Sequence, residues 1–335
     1  MPAFLHSFGA HMPERIVTNK EIGGRVGKSP EWIESVSGIR ERRWAAAETS
    51  VADLAVEAAQ DCLRNAGVGA SSLGLIVVAS GSGARGFPGP AGEVAARLGL
   101  EGTPAIDLPM ASAGSLFGLV LASKMADAFG DVLVIGAEKM SALVETQAEG
   151  DLHPEGALHP KDAFNKLDAN TAVLFGDGAG AAVVSSRPGR WEILDAALHT
   201  DGQFREDLAW DGSSALRMNG LSVIMQAARK IPGAIAEVLA RQNVAAGDVQ
   251  AFLLHQANQN LLVRVAKALG VPPEKIVSNV ARYGNTSSAS MLIAAAEWAN
   301  GNPPAGDVVF AAFGAGFHWG ALLARSRESN VRSSA

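Results

Sequence analysis

Cysteine is almost missing from this chain. Cys62 stands alone among 335 residues, so no disulfide can close within it. The surrounding Ala58-Ala59-Gln60-Asp61-Cys62-Leu63 reads as helix, which makes the thiol a small core residue rather than a reactive one. Long hydrophobic runs are missing too. Without about 18 consecutive apolar residues no membrane-spanning helix is expected. Met1 to Val17 carries proline, histidine and charges where a secretory signal needs an apolar core. The expected location is the cytoplasm. A long basic run is also absent and the net charge is −6, which argues against a nucleic-acid backbone as ligand. An acidic ligand would need a local basic patch. Arg40, Arg42 and Arg43 are one candidate, with a solvated face as the plainer reading. His153 and His159 lie six apart in the irregular stretch Leu143 to Asn170, but no well-spaced third ligand joins them. No metal is therefore expected. The stretch reads as a surface loop or lid, and the polar tail from Arg325 as a frayed end.

What the chain does have is 48% hydrophobic residues and 37 glycines, enough for one large core or two medium ones. Helix-like segments (Ala52 to Asn65, Gly92 to Leu98) alternate with strand-like ones (Leu73 to Ala79, Val132 to Gly136), the order of a layered α/β fold. The second half repeats the first. Gly130-Asp131-Val132-Leu133-Val134 returns as Gly306-Asp307-Val308-Val309-Phe310, an offset of 176 residues. The same offset carries Leu75-Ile76-Val77-Val78 onto Ala251-Phe252-Leu253-Leu254, and Ser112 onto Ser288. Elements sharing one register indicate an internal duplication, with halves of 1–180 and 181–335. If those halves pack about a pseudo-twofold axis, the turns holding Ser112 and Ser288 face each other and build one site.

The turn at Ser112 lies within Ile106-Asp107-Leu108-Pro109-Met110-Ala111-Ser112-Ala113-Gly114-Ser115, read as the end of a buried strand, a small-residue turn and a helix start. Such a turn lifts one side chain above the sheet and aims the N–H groups of a helix N-terminus at it. A serine there is more commonly a helix cap. His255 follows an apolar strand, Asn285 opens the second small-residue turn, and Phe313-Gly314-Ala315-Gly316-Phe317 offers bare backbone N–H groups for an oxyanion. A serine with a histidine is the minimum pair for acyl transfer, because a neutral hydroxyl is a poor nucleophile.

His255-Gln256-Ala257-Asn258, Gly284-Asn285-Thr286-Ser287-Ser288-Ala289-Ser290, Thr171 to Gly180 and Phe313 to Gly320 closely resemble β-ketoacyl-acyl-carrier-protein synthase III of the thiolase superfamily. Gly38-Ile39-Arg40-Glu41-Arg42 and Phe87-Pro88-Gly89 resemble it as well, so the likeness spans nearly the whole chain. It implies an α/β thiolase fold, two similar halves in a five-layered αβαβα body, and a homodimer. It also implies an acyltransferase of fatty acid or polyketide biosynthesis. An acyl group from coenzyme A or acyl carrier protein would load on residue 112 and condense with a malonyl- or β-ketoacyl-thioester. No cofactor is implied beyond those thioester substrates. By the resemblance His255 and Asn285 stabilise the enolate left by decarboxylation. Backbone N–H groups near Ser112 and in Gly314, Ala315 and Gly316 form the oxyanion hole. Gly220 and Asn258 line a pantetheine tunnel, Trp32 stacks on an adenine at its mouth, Phe87 bounds the partner's acyl pocket, and Phe313 joins the substrate-binding set.

The chain departs from that pattern at its centre, because the family nucleophile is cysteine and Ser112 occupies its place. A serine needs a true base, for which His255 is the expected residue, and gives an oxygen ester less electrophilic than a thioester. The serine fits either a specialised member of the family or a replacement that traps a ligand. Val36, Met225 and Asn260 stand where basic residues would grip coenzyme A or the carrier protein, leaving Arg229, Lys230, Arg264 and Lys267 as replacements. Two other functions remain open: an O- or N-acyltransferase using Ser112 and His255, and a weakly active partner subunit that binds acyl chains.

Overall fold

Strands that alternate their apolar residues between two faces, and helices that cover both, set the architecture. The computed structural model describes residues 1–83, 87–143, 169–210 and 216–326. Asp151, His153 and His159 lie outside the described residues, as does the tail beyond Ser326. Its strands are β1 (Ala3–His11), β2 (Ile16–Thr18), β3 (Glu41–Arg43), β4 (Leu73–Ala79), β5 (Ala105–Leu108), β6 (Asp131–Lys139), β7 (Asp177–Ser185), β8 (Trp191–Thr200), β9 (Leu208–Ala209), β10 (Arg217–Met218), β11 (Ala251–Leu254), β12 (Ile276–Val277), β13 (Asp307–Gly314) and β14 (His318–Ser326). Ten of them join in the order β12-β11-β13-β14-β8-β1-β7-β6-β4-β5. The order is palindromic when β5 is matched with β12, β4 with β11, β6 with β13, β7 with β14 and β1 with β8. The two halves meet where Ala3, Phe4 and Leu5 pair with Ile193, Glu192 and Trp191.

Residue parity along each strand builds the layers. Leu75, Val77, Val132 and Val134 from one half share a central core with Leu253, Val308 and Phe310 from the other. Their alternates, Ile76, Val78, Leu133 and Ile135, face an outer core under the helices Val51–Ala66 and Pro90–Arg97. Phe252, Leu254, Val309 and Leu323 face the opposite outer core under the helices Gly220–Arg241 and Gln259–Leu269. Between the sheet halves lie the helices Gly114–Phe129 and Ser290–Asn300, the latter buried along most of its length, as a helix enclosed on several sides must be. These are the five layers expected: helix, sheet, helix, sheet, helix. The outer helices instead carry explicit stops. Ser50 and Asp53 form a capping box at the start of Val51–Ala66, and Gly67 ends it with φ of 65°.

The 176-residue offset holds at Leu75 and Ala251, at the helix starts Gly114 and Ser290, and at the strand starts Asp131 and Asp307. It is lost at β7 and β14, because the turn Ala315–Phe317 replaces the long connection that precedes Asp177. Two expectations change. β5 is an edge strand rather than a buried one, and Ile106 is 44% exposed. Arg42 is a core residue rather than part of a solvated patch. It donates to the carbonyls of Val17 and Val173 and to Asn19 Oδ1, at 3.3, 2.6 and 2.9 Å, and burial lowers its pKa to about 10. Cys62 is sealed in the outer core as expected, and burial pushes its thiol up to about 12.

The two halves close on each other at Gly136 of β6, where a Cβ would lie 2.3 Å from the Ser288 carbonyl oxygen. Backbone stands there, so no rotamer change can relieve the clash. Gly136→Ala should lower the unfolding free energy by about 1–3 kcal/mol, read as a fall in the urea midpoint at constant m-value. An unchanged midpoint would show that this contact between the halves is not tight.

Candidate active site

Ser112, His255 and Asn285 all lie near the carboxyl ends of parallel strands, where α/β sheets place their sites. Ser112 stands four residues beyond β5, and His255 directly after β11, its N–H donating to the Ala311 carbonyl at 2.9 Å as a continuation of the ladder. Asn285 is locked to the first half: its N–H donates to the Leu174 carbonyl at 2.8 Å and its carbonyl accepts from Gly176 N–H at 3.1 Å. That segment is held in turn by Asp177, whose carboxyl accepts from Ala45 N–H and from the Ser141 N–H and hydroxyl, at 2.8, 2.7 and 2.6 Å. Burial outweighs these donors and raises Asp177 to about 6.

Ser112 does not cap its helix. The cap position is Ala113 and no side chain bonds there. Ser112 instead holds φ at 55°, a left-handed conformation that non-glycine residues adopt only under restraint. The restraint comes from the second half. Ser112 N–H donates to Ser287 Oγ at 2.9 Å, and Ser287 itself has φ of 48°. The two turns do face one another, but the conformational counterpart of Ser112 is Ser287 rather than Ser288. A 3₁₀ turn, Ser287–Ala289, precedes the second helix, and the Ser288 hydroxyl is spent on the Ala79 carbonyl at 2.9 Å. Gly314 presses on the same turn, where a Cβ would lie 2.5 Å from the Ala111 carbonyl oxygen and 3.0 Å from Ser112 Cβ. Of the N–H groups near Ser112, where an oxyanion was expected, those of Ser112 and Ala113 are already engaged, the latter by the Ala111 carbonyl.

Ser287 N–H donates to Asn285 Oδ1 at 2.9 Å, which fixes the amide orientation and leaves Nδ2 without a partner among the described residues. His255 Nδ1 lies 2.7 Å from Ser290 Oγ, which also accepts from Gln256 N–H at 3.1 Å. The Ser290 hydroxyl has one hydrogen and two acceptors in reach, Nδ1 and the Ser287 carbonyl at 2.9 Å. That carbonyl already accepts from Ser290 N–H. Two arrangements satisfy this set: the hydroxyl hydrogen goes to Nδ1 and the ring proton sits on Nε2, or the hydroxyl donates to the Ser287 carbonyl and accepts from Nδ1–H. Burial pushes His255 down to about 4, the Ser287 backbone partly offsetting it, so the ring is neutral near pH 7. With the ring proton assigned to Nε2, His255 and Asn285 supply two neutral N–H donors.

The other expected residues disperse. Trp32 is half-buried on the helix Pro30–Ser37, with Lys28 Nζ 4.8 Å above its ring. Gly220 opens the helix Gly220–Arg241, and Asn258 caps Gln259–Leu269 by accepting from Leu261 N–H. Phe87 is 91% exposed. Phe313 packs in the outer core 4.7 Å from Phe317. Lys230 is no replacement cation: it pairs with Asp201 at 2.9 Å and lies 3.9 Å above the Trp319 ring. Arg264 and Lys267 stay exposed on their helix. Three residues went unread in sequence. Ser287 and Ser290 sit inside the second small-residue turn, where spacing does not reveal which hydroxyl bridges what. Glu138 lies next to the end of the wholly buried β6, and a carboxylate closing an apolar strand was the available signal.

Known proteins share this fold. Residues 106–202 match the model of the family described as 3-oxoacyl-[acyl-carrier-protein] synthase III, and residues 239–326 match its C-terminal model. The β-ketoacyl-[acyl-carrier-protein] synthase III of Oleidesulfovibrio alaskensis is 34% identical, over 97% of this chain and 99% of its own length. The crystal structure of 3-oxoacyl-(acyl carrier protein) synthase III from Pseudomonas aeruginosa superimposes with a TM-score of 0.85 at 30% identity, covering 98% of this chain and 99% of that one. The priming β-ketosynthase of the R1128 polyketide biosynthetic pathway gives 0.82 at 29% identity, with 97% and 96% covered.

The protonation state of His255 is directly measurable. In ¹⁵N-histidine NMR spectra at pH 7, the ring signals lost in His255→Gln should carry their proton on Nε2 and stay neutral as the pH falls through 6.5, titrating near 4. A proton on Nδ1, or a midpoint near 6.5, would refute the assignment.

Proposed function

Since the chain belongs to the 3-oxoacyl-[acyl-carrier-protein] synthase III family, and is an acyltransferase of the condensing type, we propose a division of labour among its residues. An acyl group from an acyl-coenzyme A forms an ester on Ser112. A malonyl thioester carried by acyl carrier protein then loses carbon dioxide, and its enolate attacks that ester to give a β-ketoacyl product for fatty acid or polyketide synthesis. His255 and Asn285 hold the enolate oxygen. The observation that carries this reading is that Ser290 engages His255 Nδ1 and Ser287 N–H engages Asn285 Oδ1, which turns His255 Nε2 and Asn285 Nδ2 to the task of neutral donors. Neutrality suits the task, since a preorganised neutral donor stabilises developing negative charge without surrendering a proton. An acyl transfer to oxygen or nitrogen has no enolate and no need of the pair.

The remaining roles follow in the same reading. The Gly314 to Gly316 backbone stabilises the tetrahedral oxyanion, with Gly314 held against the Ser112 turn. Trp32, Gly220 and Asn258 flank the route of the carrier arm, where Arg264 and Lys267 offer positive charge to phosphate or to an acidic carrier protein. Phe313 backs the Gly314 to Gly316 loop. The protein works in the cytoplasm as a homodimer whose halves, 1–180 and 181–335, arose by duplication. Ile106, Leu121 and Phe129 are 44%, 43% and 39% exposed on β5 and the helix that follows it, apolar surface that a second copy would cover. Phe87 stands close in sequence to the Gly89–Pro90 turn, where Ala91 N–H is held by Asp107 of β5, and it reaches the partner's acyl pocket.

Intact-mass measurements after incubation with a series of acyl-coenzyme A thioesters test this. One acyl group should appear on Ser112, be lost in Ser112→Ala, and form faster in Ser112→Cys. His255→Ala and Asn285→Ala should keep loading but slow condensation with malonyl carrier protein roughly 100-fold or more each. Discharge to an alcohol or amine acceptor, with no carbon–carbon bond formed, would instead establish the simple acyltransferase.

A further inference from the structure

Glu138 is a carboxylate with no measurable exposure and, among the described residues, no cation paired with it. Adjacent Lys139 points its ammonium away, to the carbonyls of Ala46, Ala47 and Thr49. Every donor to Glu138 among the described residues is neutral. Oε2 accepts from the Ser80 and Ser82 hydroxyls and Ser82 N–H at 3.3, 2.5 and 2.9 Å. Gly81 N–H lies 3.1 Å from both oxygens, and Oε1 accepts from Ser288 N–H at 3.3 Å and from Ser287 Oγ at 2.9 Å. A buried negative charge without a counter-ion is costly to keep for packing alone. The Ser287 contact leads to the nucleophile.

Among the described residues, the polar side-chain neighbour of Ser112 Oγ is Ser287 Oγ, at 3.5 Å. Ser287 spends its single hydrogen on Glu138, so the hydrogen in this contact belongs to Ser112. The distance is long for a hydrogen bond, as unliganded sites often show before substrate tightens them. His255 makes its side-chain hydrogen bond to Ser290 rather than to Ser112, and in the role proposed above its Nε2 already carries a proton. It is a donor where a base is needed.

We infer that Ser112 is deprotonated through a hydroxyl relay, in which Ser287 takes its proton and passes its own to Glu138. This rests on Ser112 being the acylated residue. As Ser112 Oγ bonds the thioester carbonyl carbon, its O–H bond breaks, the proton moves to Ser287 Oγ, and the Ser287 proton moves to Glu138 Oε1. Collapse of the tetrahedral intermediate breaks the C–S bond, and the thiolate leaves with that electron pair and takes a proton from water. When the enolate later displaces Ser112 from the ester, the alkoxide recovers its proton from Ser287 and Glu138 returns to carboxylate. A cysteine would not need the relay, because a thiolate is reachable near neutral pH. The relay therefore matters to an oxygen nucleophile in a way it would not to a thiolate.

Swapping the nucleophile separates the relay from mere support of the turn. Acylation rates from acyl-coenzyme A, followed by intact mass, are compared for the parent, Ser287→Ala, Glu138→Gln, Ser112→Cys, and Ser112→Cys carrying each relay change. Each relay substitution should slow acylation roughly 100-fold in the parent background, the usual worth of a positioned base, but less than about 10-fold in the Ser112→Cys background. The parent should also show a solvent deuterium isotope effect on acylation that Ser112→Cys lacks. Equal losses in both backgrounds would overturn the relay and leave Ser287 and Glu138 as supports of the turn. Acylation of Ser112→Cys but not of the parent would overturn it too. Failure of both proteins to load would sink the acyl-enzyme reading itself.

Discussion

One hydroxyl, on Ser287, ties the two halves of this protein together at the point where its chemistry is placed. It accepts the Ser112 N–H from the first half's turn and donates to Glu138 near the end of the buried strand β6, while belonging itself to the second half. A hydroxyl can do both because it carries one hydrogen and two lone pairs. Replacing it would leave a buried N–H and a buried carboxylate oxygen short of a partner, each costing about 1–3 kcal/mol. The left-handed backbone at Ser112 and at Ser287 is held by the same contact, so strain and bond belong to one device.

Around that contact the fold works by close approach. The central helices start at Gly114 and Ser290 and lie enclosed between the sheet halves, and Gly136 and Gly314 let backbone meet backbone where a methyl group would not fit. Close packing brings the strand ends of both halves to one place, with His255 and Asn285 from one half and Ser112 and Glu138 from the other. It also removes water. Dehydration holds His255 neutral and raises Asp177, and it makes the remaining polar groups depend on one another for hydrogen bonds. Asn285 illustrates the dependence, with its backbone bonded to the first half, its side-chain oxygen bonded to Ser287, and its amide hydrogens without a partner among the described residues.

Some features of the site bear on an oxygen nucleophile and others are indifferent to it. In the proposed function the paired donors serve an enolate whatever atom carries the acyl group. Ser112 alone would be a weak nucleophile, and the hydroxyl that meets it, on Ser287, is backed by a carboxylate. Charge at the periphery is arranged differently from the expected basic rim, with Val36 and Met225 exposed and Lys230 withdrawn into a pair with Asp201.

The repeat offset, the parity of the strands and the small-residue turns were legible in sequence because each depends on local spacing, and local spacing survives folding. So was the family, since the motifs around His255 and Asn285 are contiguous. The exposure of β5 was not legible, because Ile106 and Leu108 look the same whether a neighbour covers them or not. Nor was the fate of Arg42, whose partners Val17, Asn19 and Val173 come from distant parts of the chain. What the sequence by itself determined is the layered duplicated fold and the identities of the expected nucleophile, the histidine and the asparagine. Only the tertiary structure decided which atoms face Ser112, which ring nitrogen of His255 meets Ser290, and that Glu138 lies behind Ser287. Those depend on hydrogen-bond counts among groups that stand far apart in the chain, and such counts exist only once the halves have closed.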